Sequence, residues 1–140
     1  MRGLVGFALL LLCLGPVWPA EVVSLDSDND GEVDSWYETS AGRLTEVRVD
    51  RNGDGRVDYR ATFTPREEKS YEEFDFNFDG EMDDFYFYLG GLLVRQEVDS
   101  NYDGRVDLWV YLHKGIYIER YEQDTDFDGK KDRVVDYARR

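Results

Sequence analysis

Residues 99–107 read DSNYDGRVD. Oxygen-bearing side chains stand at alternate positions, Asp99, Asn101 and Asp103; a glycine follows, and a fourth acid, Asp107, closes the nonapeptide. Four other stretches obey the same rule: DSDNDGEVD at 26–34, DRNGDGRVD at 50–58, DFNFDGEMD at 75–83 and DTDFDGKKD at 124–132. Their first aspartates lie at 26, 50, 75, 99 and 124, so the steps are 24, 25, 24 and 25 residues. One match could arise by chance in an acidic chain; five in phase mark an internal repeat.

The segments between the loops repeat as well. Runs rich in β-branched and aromatic residues follow the loops at 33–39, 57–63, 82–89 and 106–112. Turn signals come next, at Ser40-Ala41-Gly42, Gly90-Gly91 and His113-Lys114-Gly115, with a longer turn around Pro65. Return runs at 44–49, 70–74, 92–98 and 116–122 lead into the next loop, and no stretch keeps a helical period. The expected fold is all-β, an antiparallel meander of five 24/25-residue hairpin repeats joined by acidic loops. Parity places Val57, Tyr59, Ala61 and Phe63 on one face, and likewise Val106, Leu108, Val110 and Leu112, as the expected core. The extra residue of the longer repeats must sit in a turn or a bulge. At the ends, 22–25 is a return strand lacking its outgoing partner, and 133–137 an outgoing strand lacking its return. These halves are complementary, so a closed barrel stands beside an open twisted sheet or a roll.

The first twenty residues have the layout of a secretory signal peptide: Arg2, an apolar run from Leu4 to Leu14, then Trp18-Pro19-Ala20. The apolar run is too short to span a bilayer comfortably. The expected organisation is a signal peptide at 1–20 and one domain at 21–140, secreted or periplasmic after cleavage. Anchoring through a lipidated Cys13 is disfavoured because large Leu12 precedes it. Cys13 is the only cysteine, so the mature domain would carry no disulfide, and something other than sulfur must brace it. The net charge of −14 becomes −15 without Arg2, which argues against nucleic acid and anionic membranes and favours cations. An aromatic content of 15% argues against disorder.

The loop chemistry points to calcium. That ion takes six to eight hard oxygen ligands from a flexible loop. The candidate ligands are Asp26, Asp28, Asp30 and Asp34; Asp50, Asn52, Asp54 and Asp58; Asp75, Asn77, Asp79 and Asp83; Asp99, Asn101, Asp103 and Asp107; and Asp124, Asp126, Asp128 and Asp132. Glycine at position 6 permits the sharp turn, position 7 offers its carbonyl with an unrestricted side chain, and position 8, apolar in all loops but the fifth, anchors the curl to the expected core. Asp-Gly and Asn-Gly are also ordinary turn residues. Turn chemistry alone does not account for seventeen of the 31 acids standing at motif positions. Crowded carboxylates repel without a cation, and up to five Ca2+ ions would add +10 against −15. In the fifth loop Lys130 and Lys131 intrude.

The pattern Asp-x-Asp/Asn-x-Asp-Gly-x-x-Asp resembles EF-hand-like calcium loops, and is similar to those of integrin-type FG-GAP repeats and thrombospondin type 3 repeats. The glutamate an EF-hand places at position 12 is missing; Tyr37, Ala61, Tyr86, Val110 and Val135 stand there. The resemblance covers the loops and assigns no whole-domain family. Without the position-12 glutamate the sites are expected to be weak, roughly 10⁻⁴–10⁻³ M, suited to an extracellular setting. No enzyme is expected: His113 lies alone in a turn, and no acid pair stands apart from the repeats. Trp36, Phe85 and Trp109 share one repeat position and form a candidate face for a glycan or a surface protein, against the plainer role of covering the sheet.

Overall fold

The computed structural model describes residues 19–138. Ten strands follow in chain order: β1 (Ala20–Leu25), β2 (Ser35–Ser40), β3 (Arg43–Val49), β4 (Tyr59–Phe63), β5 (Lys69–Phe74), β6 (Asp84–Leu89), β7 (Leu92–Val98), β8 (Leu108–His113), β9 (Tyr117–Gln123) and β10 (Arg133–Asp136). Each pairs antiparallel with the next, making one ten-stranded meander. Among the described residues there is no helix, and none long and apolar enough to cross a membrane. Residues 1–18 of the expected signal peptide, Cys13 among them, lie outside the described residues; Ala20 is the first residue of β1.

The sheet is open. β1 and β10 form its two edges and do not pair, so the barrel closure suggested by the complementary end strands does not occur. The register supplies the reason. Trp36 pairs with Arg48, Arg48 with Arg60, Arg60 with Glu73, Glu73 with Phe85, and so on in a straight row to Glu122 and Val134. A barrel needs a cumulative stagger between its strands, and this row has none.

Every hairpin carries one bulge, on its return strand, at Thr45, Ser70, Val94 and Glu119. Two of the bulged residues use their hydroxyls to satisfy carbonyls opposite: Thr45 Oγ1 donates to Glu38 O and Ser70 Oγ to Thr62 O, both at 3.0 Å. Since the bulge is common to all four hairpins, the extra residue of the longer repeats sits in the turn. Ala41-Gly42 and Gly90-Gly91 are two-residue turns with positive φ at both positions, matching the twist of the strands. Lys114-Gly115 repeats that turn with Ile116 added, and 64–68 makes a five-residue loop.

Parity assigns the faces correctly, yet among the described residues no second layer covers either of them. Ala61 is the only fully buried hydrophobic residue among those described. The expected core therefore becomes a half-exposed face on which side chains lie flat across neighbouring strands. On it, buried Glu72 accepts hydrogen bonds from Tyr59, Tyr88 and Lys69. The opposite face is a lattice of ion pairs and rings. Arg60 bridges Glu46 and Glu73, Arg95 meets Glu97 and lies 3.9 Å over Phe87, and Glu122 takes Arg120 and Lys131. Cross-strand pairs and long aliphatic stems thus do the covering that a core does elsewhere.

Candidate metal centres

The meander sets all five acidic loops in a row along one end of the sheet and the tight turns along the other. Two strands separate consecutive loops, so the row advances by about 10 Å per loop. Adjacent loops are joined: the amide of each position-1 aspartate donates to the carbonyl of the preceding position-9 aspartate, Asp50 to Asp34, Asp75 to Asp58, Asp99 to Asp83 and Asp124 to Asp107, at 2.8–2.9 Å.

Inside each loop the aspartates curl the backbone around themselves. The position-1 carboxylate accepts the position-6 glycine amide on one oxygen and an amide from position 4 or 5 on the other. In loop 2 these bonds to Asp50 come from Gly55 at 2.7 Å and Gly53 at 2.8 Å. The position-5 carboxylate takes the amide of position 7 in every loop, as Asp54 does from Arg56 at 2.8 Å. The position-9 carboxylate reaches back to the amide of position 2. This wrapping holds position 4 in left-handed backbone in all five loops, at Asn29, Gly53, Phe78, Tyr102 and Phe127. An ionised carboxylate has about four acceptor positions, so one or two backbone bonds leave capacity for a cation.

Three loops gather carboxylate oxygens within 4.8 Å of one another: Asp26, Asp28 and Asp34; Asp50, Asp54 and Asp58; Asp124, Asp126 and Asp132. In loops 3 and 4 no trio meets that limit. In all three loops with asparagine at position 3 its side-chain amide donates to position 5: Asn52 to Asp54 at 3.2 Å, Asn77 to Asp79 at 2.8 Å and Asn101 to Asp103 at 3.1 Å. Loop 2 tests the fit to an ion. Asp58 is 1% exposed, and its Oδ2 takes the amides of Arg51 and Asn52. Its Oδ1 is buried without a partner, and one oxygen of the Asp58 carboxylate lies within 4.8 Å of oxygens of Asp50 and Asp54. A buried carboxylate oxygen left unsatisfied is costly; a hard cation satisfies it, so the residues fit calcium.

The surroundings move individual carboxyls in opposite senses. Burial raises Asp83, with the Asp75 and Asp79 carboxylates adding to the rise against the amides of Phe76 and Asn77. Asp34 is lowered by the hydroxyls of Ser35 and Ser27, and Asp79 by the Glu81 amide and Asn77. In loop 5, Lys130 Nζ sits 2.7 Å from Asp128 Oδ2 and competes there with any ion, whereas Lys131 turns away to Glu122 and the ring of Trp109.

Two features escape the sequence pattern. Hydroxyls at position 2 brace the closing acid, with Ser27, Ser100 and Thr125 donating to Asp34, Asp107 and Asp132 at 2.7–2.9 Å. Position 7 is also less free than expected. Arg56 crosses to loop 3 and donates to Asp79 O, and a Cβ at Gly80 would lie 2.6 Å from its guanidinium; a Cβ at Gly104 would lie 2.7 Å from Glu81. Trp36, Phe85 and Trp109 do share a face and a row, but Arg48, Arg60 and Glu73 separate the first two and Glu97 the last two. His113 is exposed at the turn end, away from the acidic loops.

No protein-family model matches the chain, and no curated protein matches it in sequence. Among solved structures, the sheet is similar to part of the crystal structure of accessory secretory protein 1, 2 and 3 in Streptococcus pneumoniae. The TM-score is 0.52 at 14% identity, over 75% of this chain and 19% of that one. The likeness is one of fold alone, and the chain spans about a fifth of that neighbour's length.

Proposed function

We propose that this chain is an exported, calcium-binding β-repeat protein whose role is structural or binding rather than catalytic, with Ca2+ stapling the loops between hairpins. The observation that carries the reading is the sealed, partnerless Oδ1 of Asp58, on a carboxylate that groups with those of Asp50 and Asp54. A single-layer sheet with one buried hydrophobic residue has little else to hold an array of carboxylates in place. Calcium offsets their repulsion and binds only the folded loops, so binding and folding are coupled. Loop 5, with Lys130 on Asp128, is the weakest site.

The test is calcium titration followed by circular dichroism and melting. Millimolar calcium is expected to raise the melting temperature over EDTA, with half-effects near 10⁻⁴–10⁻³ M, about the range of extracellular calcium modules. Identical melting in both conditions would sink the reading.

A second reading, calcium-dependent binding of a glycan or surface protein, is favoured by Trp36, Phe85 and Trp109 lying in one row on one face. It expects Trp109→Ala to weaken capture of such a ligand in calcium; the Lys131 ammonium 3.9 Å from that ring weighs against it.

A further inference from the structure

We propose that copies of this chain join head to tail through their sheet edges, β10 of one copy pairing antiparallel with β1 of the next. The partner is a second copy because the two edges match in strand direction and register. Among the described residues β1 and β10 are the two edges of the open sheet and do not pair with each other. Odd strands run one way and even strands the other, so β10 of one copy and β1 of the next, set side by side in the same orientation, are antiparallel.

The backbone phase agrees at both edges. Asp50 N–H bonds Asp34 O, so alternate residues of β2 bond toward β3 and the others toward β1. That leaves the amide and carbonyl of Val22 and Ser24 on the free side of β1. Tyr137 N–H bonds Glu119 O, which likewise turns Val134 to the free side of β10. Continuing the internal register places Asp132 O against Asp26 N–H, repeating the bond that joins each pair of adjacent loops. Val134 then faces Ser24, and Val135 faces Val23. Neither Asp26 N–H nor Asp132 O has that partner among the described residues.

Side chains point the same way. Val23, Leu25 and Val134 are 51%, 47% and 59% exposed, and pairing covers them. Asp132 is exposed, whereas its equivalents beside a following loop are buried at Asp58, Asp83 and Asp107 and half-buried at Asp34. Exposed sheet edges are ordinarily blunted by short length, charged side chains, proline or a bulge. β1 has no proline, register break or basic residue; β10 is short and carries Arg133, but it too has no proline or register break.

Sedimentation equilibrium in millimolar calcium tests the proposal. One strand pair is a small interface, so the weight-average mass should rise about twofold or more from micromolar to near-millimolar protein. Ser24→Pro and Val134→Pro each remove an outward-facing amide, which an edge strand tolerates. Each variant alone is expected to stay monomeric with an unchanged circular dichroism spectrum. Their equimolar mixture should form dimers and nothing larger, because one retains a working β10 and the other a working β1. In a Cys13→Ser background, Ser24→Cys and Val134→Cys chains should cross-link only when mixed. A wild type that stays monomeric throughout overturns the proposal, as does a single proline variant that still associates. The pairing uses backbone groups rather than ions, so a chain that bound no calcium would still associate, and this test fails separately from the metal reading.

Discussion

The inner and outer loops share one motif and differ in what surrounds it. Loops 2, 3 and 4 hold both end aspartates at 1–6% exposure, whereas Asp26 and Asp34 of loop 1 are half-buried and Asp132 of loop 5 is exposed. The carboxylates are thus buried by neighbouring repeats and not by a hydrophobic core. A site of this kind is completed by the loop beside it, so its properties depend on its place in the row.

The largest test of that difference is Asp58→Asn against Asp132→Asn. The inner substitution is expected to remove one bound calcium and about 1–2 kcal/mol of calcium-dependent stability. In EDTA it should be neutral or stabilising, because it removes a buried carboxylate charge. Asp132→Asn should move calcium-dependent melting by less than half as much. Equal effects would mean that burial by neighbours does not matter.

The next test uses the position-6 glycines. Gly31 and Gly80 have φ of +101° and +96°, so alanine at either should cost about 1–2 kcal/mol of strain. Space is open around Gly31, whereas Gly80→Ala also displaces Arg56 from the Asp79 carbonyl. Gly80→Ala should therefore be the more destabilising of the two in thermal melts, and the reverse order would break the comparison.

The smallest effect is in titration. In EDTA, carboxyl chemical shifts should show Asp83 protonating above the ordinary range and Asp34 below it. The signs differ accordingly. Metal-free stability is gained at Asp83 as pH falls through its raised folded value. At Asp34, stability present above the unfolded value is lost as pH falls through the lowered folded one.

Much of this architecture was legible in the chain. The loop phase and strand parity follow from alternation and repetition, which local pairing preserves. Strand starts fall two residues late because positions 8 and 9 remain in the loop, as at Val57 and Asp58 before Tyr59. Openness was not legible: complementary ends say that two strands could pair, and only the accumulated register says whether they meet. Parity likewise shows that Tyr59, Ala61 and Phe63 share a face, but not whether anything covers it. At the sites, positions 1, 3, 5 and 9 stand out because their chemistry repeats. The left-handed position 4 is hidden because Asn29, Gly53, Phe78, Tyr102 and Phe127 have no chemistry in common. That conformation accompanies the curl of the backbone around the position-1 carboxylate, which takes the position-6 amide in every loop.

The straight meander also bears on how the molecule comes into being. Strands touch only their sequence neighbours, so no segment waits for a distant one to arrive. Such a chain can assemble one hairpin at a time as it is delivered, each new pair of strands extending the growing edge and each new loop covering the one before it. Deleting a whole repeat should leave the remaining contacts intact, whereas losing a single residue from a strand turns every later side chain in it to the other face.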